Sequence, residues 1–136
     1  MRTSHPDYER HGISRARYAE LRAYCMQYPQ WKQEASSLLG VGAQQYSPMP
    51  HGSGTSDPVE CAAERREQLL AKIEHVESTA QAIDNGRWYR ALLLNVCDGI
   101  GLDSIDPAVL PTSNRNAFFI ARRAFYIALH ESKSKI

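Results

Sequence analysis

The longest regular pattern in the chain is a series of eight positions, Val59, Ala62, Arg66, Leu69, Ile73, Val76, Ala80 and Ile83, separated throughout by three or four residues. Spacing of that kind lines one face of a helix, and all but Arg66 can be buried. The start is marked as well: Asp57 is placed to cap, Pro58 to occupy the first helical position and Glu60 to complete a capping box. The pattern predicts a helix of about 27 residues, ~40 Å long at 1.5 Å per residue. Its seam, Leu69, Ile73, Val76, Ala80 and Ile83, must close on another helix of the chain or on a second copy.

Asp84, Asn85 and Gly86 read as a turn, after which Trp88, Tyr89, Leu92, Leu93, Val96 and Cys97 form a second apolar stripe ending near Gly99. A tight connection between two such stripes predicts an antiparallel helical hairpin. In "GLDSIDPAVLP", Ser104 or Asp106 is placed to cap a short helical turn. Thr112 or Ser113 then caps a last helix over 113–132, whose core stripe is Phe118, Ala121, Phe125, Ala128 and Leu129.

Upstream, residues 1–12 are polar and aperiodic and read as an arm. Ser14 caps a helix with Tyr18, Leu21, Tyr24, Cys25 and Tyr28 on one face, and Pro29 ends it. A short helix from Gln30 to Leu39, with Trp31, Ala35, Leu38 and Leu39 apolar, stops at Gly40. Residues 40–56 hold four glycines and two prolines and read as a linker. The expected architecture is all-α: a helical unit at 1–39, the linker at 40–56, and a hairpin with helix-turn-helix-like elements at 57–136.

Net charge changes this picture little, since the chain carries only +1, but its distribution matters. Residues 57–85 hold seven acids against three bases, and residues 113–136 hold five bases against one acid. The basic end coincides with "TSNRN" at the start of the last helix and the pair Arg122 and Arg123 further on. In a groove-docked helix the first residues reach base edges, where Asn suits adenine and Arg suits guanine. Later arginines meet phosphates. Ser113, Asn114, Arg115, Asn116, Arg122 and Arg123 are therefore the candidate contacts to double-stranded DNA.

Little else in the sequence points to chemistry. His5, His11, His51, His75 and His130 are isolated from one another and from Cys25, Cys61 and Cys97, so no zinc spacing is present. "GVGAQQ" lacks the lysine of a phosphate loop, and no serine or cysteine sits in a nucleophile motif. No enzyme, metal or cofactor is expected. The three cysteines are expected to be reduced and mostly buried in a cytoplasmic protein. Neither a signal peptide nor a membrane span is expected.

"GISRARYAELRAYCMQYPQWKQEA", "ERREQLLAKIEHVESTAQAI", "ALLLNVCDGI" and "LPTSNRNAFFIARRAFYIAL" together resemble phage and prophage transcriptional regulators of the RinA and ArpU type. The likeness runs from residue 13 onward. Proteins of that type end in a helix-turn-helix similar to sigma-factor region four. The resemblance implies the same six residues as DNA contacts, RNA polymerase as a further partner and a bacterial host cytoplasm. The segment "GLDSIDPAVLP" departs from a tight helix-turn-helix turn in being longer and in carrying Asp103 and Asp106. A second class of function fits the same pattern: a helical phage accessory protein that binds and modulates a host protein, such as a nucleic-acid-handling enzyme.

Overall fold

The computed structural model describes residues 6–44 and 58–134. Among these residues the chain is all-α, without strands. Residues 45–56 of the expected linker and the expected cap Asp57 lie outside the described residues, as do His5, His51 and Lys135.

The expected arm contains a helical turn, α1 (Pro6–Arg10). Tyr8 and Ile13 are the physical reason it docks: both are buried, and the Tyr8 ring lies 5.1 Å from that of Tyr18. Ser14 caps α2 (Arg15–Met26) as expected, its hydroxyl accepting from the Arg17 amide at 3.1 Å. The chain bends at Gln27 and continues as α3 (Tyr28–Gln44). Pro29 thus opens α3, because the first turn of a helix loses no hydrogen bond to proline. Gly40 does not stop α3 as the sequence suggests. Glycine inside a helix costs about 1 kcal/mol, a weaker signal than a true cap.

The long seam helix is α4 (Pro58–Ala82), 25 residues. Leu69, Ile73, Val76 and Ala80 are buried, and Ile83 is partly buried just beyond its end. Their main cover is α3, which runs along α4 and inserts Trp31 and Ala35. The hairpin partner predicted from the sequence contributes less. Polar clasps hold the α3–α4 pair: Tyr28 donates to Glu77, and Arg65 Nε lies 3.0 Å from Glu34. The seam opens out toward the start of α4, where Val59 is 41% exposed and Arg66 is half-buried.

The predicted turn forms at Ile83–Gly86, with Asp84, Asn85 and Gly86 all at positive φ (50°, 58° and 82°). After it, α5 (Tyr89–Leu92) gives way to a π-helical turn, Leu93–Cys97. Two 3₁₀ turns follow, Leu102–Ser104 and Pro107–Val109, the second capped by Asp106. These turns form the short segment that the sequence places between the helical stretch 89–97 and the last helix. The last helix, α6 (Arg115–Ser134), starts two residues later than expected. It buries Phe118, Ala121, Phe125 and Leu129, and also Tyr126 beside that stripe.

Residues from Tyr8 to Leu129 belong to a single hydrophobic cluster. The division into 1–39 and 57–136 therefore describes order along the chain, with both segments building one core. Cys25 and Cys97 meet there as hydrogen-bonded thiols, and that bond together with burial pushes the Cys97 thiol upward. Cys61, by contrast, is exposed. None of the helices among the described residues is long and apolar enough to cross a membrane.

Gly86 lies at φ +82°, a backbone conformation in which a side chain is strained. Gly86→Ala should destabilise the fold by about 1–2 kcal/mol. A lower urea midpoint with an unchanged slope would bear this out, whereas an unchanged midpoint would show that the turn relaxes freely.

Candidate binding surfaces around the C-terminal helix

The start of α6 is shaped by Asn114. Its Oδ1 accepts from the Asn116 amide at 2.9 Å, and Thr112 Oγ1 accepts from the Asn114 amide at 3.3 Å. Asn114 is thus the cap, in place of the expected Thr112 or Ser113. Its one-residue displacement leaves Thr112 to brace the cap residue. Ser113, Asn114, Arg115 and Asn116 are all exposed, as a DNA contact requires.

The charge at this end is already answered. The Arg115 guanidinium pairs with Asp103 and lies 5.9 Å from the Phe119 ring centroid. Behind the pair is a cleft of about 540 Å³ with Leu102, Ile105, Leu110, Pro111 and Phe118 in its lining. The outward stripe of α6 is apolar: Ile120 is 58% exposed, with Ala124 beside it, over a hollow that includes Ala117 and Trp88.

Arg122 and Arg123 do not extend that end as a phosphate-binding pair. Adjacent helical residues diverge by about 100°, which sends the two side chains to different neighbours. Arg123 is half-buried, with Nε 3.6 Å from Asp7 Oδ2 on α1. Arg122 lies 4.8 Å from the Phe119 ring centroid and donates from Nη1 to Asn95 Oδ1 at 3.3 Å. Of the six sequence-predicted contacts, the structure gathers Ser113, Asn114, Arg115 and Asn116 at one helix end. Arg122 and Arg123 it places elsewhere.

A different set of cations is brought together by α2, α4 and the end of α6. Lys133 Nζ lies 3.8 Å from the Tyr24 ring centroid, and Lys72 Nζ lies 5.6 Å from that of Trp31. Burial, then Arg17 and Lys72, hold the Lys133 ammonium below the usual lysine range. Arg17 and Lys72 each repel the Lys133 ammonium, and Glu20 offsets part of that repulsion. Arg17 donates from Nε to His130 Nδ1 at 2.9 Å and pairs loosely with Glu20 at 3.6 Å. A groove of about 320 Å³ is lined by Tyr24, Ala71, Lys72, His75 and Lys133, without a carboxylate.

His75 ties this groove to the core. Tyr24 Oη lies 3.1 Å from its Nδ1 and Ser132 Oγ 2.6 Å from its Nε2, while Ser132 donates to the Leu129 carbonyl. Because the Ser132 proton is used, Nε2–H donates to Ser132 and Nδ1 accepts from Tyr24, a neutral ring. Burial, and after it Lys133, keep His75 below the ordinary histidine range.

No local feature of the chain marks this cluster. Arg17, Lys72 and Lys133 are more than fifty residues apart from one another, and only the folding of α2 and α4 against α6 unites them. Among the described residues no group of three or more His, Cys, Asp or Glu could hold a metal ion.

A histidine whose folded pKa is depressed favours unfolding once protonated. The unfolded chain takes up the proton first, near pH 6.5, so stability is full above that value and declines as pH falls below it. Urea midpoints at about pH 7.5 and about pH 5.5 should differ less in His75→Gln than in the native chain. An equal difference in both would remove His75 from the pH response. No protein-family model matches this chain, and no similar curated protein or solved structure was found.

Proposed function

We propose that the chain acts by binding, as a DNA-binding regulator of phage type in the bacterial cytoplasm, and that it meets DNA through the α2, α4 and α6 groove. The observation that carries this reading is the groove in which Lys72 and Lys133 meet without a lining carboxylate, with Arg17 beside Lys133. Cations that repel one another reduce stability unless an anion joins them, and DNA affinity comes largely from phosphates met by such cations. The rings of Tyr24 and Trp31 fix the two lysine heads by cation–π contact.

Ser113, Asn114, Arg115 and Asn116 become secondary contacts in this reading. Their only cation is paired with Asp103, and the neighbouring outward stripe is apolar. A surface pair of that kind is worth at most about 1 kcal/mol, so a phosphate can displace Asp103, but one cation gives little affinity.

A labelled duplex titrated at two salt concentrations tests the reading. Binding should weaken steeply with salt, and changing both Lys72 and Lys133 to alanine should lower the slope of log K against log salt by about 2. Changing both Arg115 and Arg123 to alanine should alter affinity much less. Absence of binding at low salt, or an unchanged slope in the lysine variant, would overturn it. The alternative, a helical accessory protein that binds and modulates a host protein such as a nucleic-acid-handling enzyme, is favoured by the 540 Å³ cleft, where Leu102, Ile105, Leu110 and Phe118 give an apolar floor beside Asp103 and Arg115. It gains if the duplex titration fails.

A further inference from the structure

A second basic site lies on the other flank of α2. A pocket of about 480 Å³ opens between α2, the π-helical turn and α6, with Tyr18, Arg22, Asn95, Arg122 and Tyr126 in its lining. Its volume falls within the range of ~300–1,000 Å³ typical of small-molecule sites. Two guanidinium groups from different helices face it, and its lining includes no carboxylate.

The polar groups are held in place before any ligand arrives. Asn95 donates from Nδ2 to the Ile100 carbonyl at 3.0 Å, which leaves Oδ1 to accept from Arg122 Nη1 at 3.3 Å. The π-helical turn sets this up: the Asp98 amide donates to Leu93 at 3.2 Å and the Ile100 amide to Leu94 at 3.0 Å. Such turns are uncommon and concentrate at functional sites. Phe119 supports the other face of the Arg122 guanidinium at 4.8 Å. Arg22 is exposed and stands over the Tyr18 ring at 5.9 Å.

A tetrahedral oxyanion suits this pocket, because its several oxygens can accept from the guanidinium groups of Arg22 and Arg122 together. Burial pushes the Tyr126 hydroxyl well above the usual tyrosine range, so it adds no negative charge to the pocket.

We propose that this pocket is a binding site for a small phosphate-bearing dianion, with Arg22 and Arg122 as the paired cations and Asn95 as the residue that orients Arg122. It shares no residue with the Arg17, Lys72 and Lys133 cluster, so the two readings stand or fall separately.

The probe is inorganic phosphate against chloride at constant ionic strength, followed by calorimetry and by thermal unfolding of the whole chain. Binding should be saturable and should raise Tm by about 5 °C at ten times its Kd. Arg22→Gln, at an exposed position outside the core, should weaken phosphate binding at least ~10-fold, the loss of one charge-assisted bond. Arg122→Gln should do the same, whereas changing both Lys72 and Lys133 to glutamine should leave phosphate binding unchanged. Phosphate heats that do not saturate, or the same Kd in Arg22→Gln as in the native chain, would overturn the site. Displacement of bound phosphate by a blunt duplex without terminal phosphates would overturn its assignment to a free phosphate compound and give the pocket to the DNA backbone.

Discussion

Burial of one face of α6 is the constraint on which the other elements depend. Phe118, Phe125 and Leu129 are essentially inaccessible to solvent, and each such side chain contributes on the order of 1.5–3 kcal/mol when buried. A helix with an aromatic stripe of that length has to be covered from several sides. α1 brings Tyr8, α2 brings Tyr18 against Tyr126, Trp88 just before α5 packs against Phe118, and α4 closes the remaining side. The surface chemistry follows from that covering. Once α2 is packed at Tyr126, Arg22 falls on one flank near Arg122, and Arg17 falls on the other near Lys133.

Pairing then decides which cations can act on a ligand. The basic end of the chain reads as a uniform feature in the sequence, yet its arginines have separate fates. Arg115 is met by Asp103, Arg123 by Asp7, and Arg122 turns toward a pocket of its own. The cations left facing one another without a carboxylate in the groove, Lys72 and Lys133, come from segments of opposite overall charge. Charge balance along the chain was therefore a poor guide to charge on the surface, because a surface is built from residues that are distant in sequence.

Helices were legible because periodicity, caps and turn residues act locally. Ser14, the run from Leu69 to Ile83, the Asp84–Gly86 turn and the Phe118 to Leu129 stripe each announce themselves within a few residues. What was not legible depends on tertiary context. Tyr8 and Ile13 are isolated apolar residues in a polar arm, and only the surface they cover explains their burial. The π-helical turn has no residue signature, and Gly40 as a stop was overridden in a helix that runs on to Gln44. The candidate sites were half visible: the exposed "TSNRN" start could be read, whereas the lysine groove and the Arg22 and Arg122 pocket could not.

The most direct test of the proposed DNA contact is amide and side-chain chemical-shift mapping during titration with a duplex at low salt. Perturbations centred on Arg17, Tyr24, Lys72, His75 and Lys133 are expected, with smaller changes at the start of α6. Perturbations confined to Ser113, Asn114, Arg115 and Asn116, leaving the lysine groove unmoved, would contradict it.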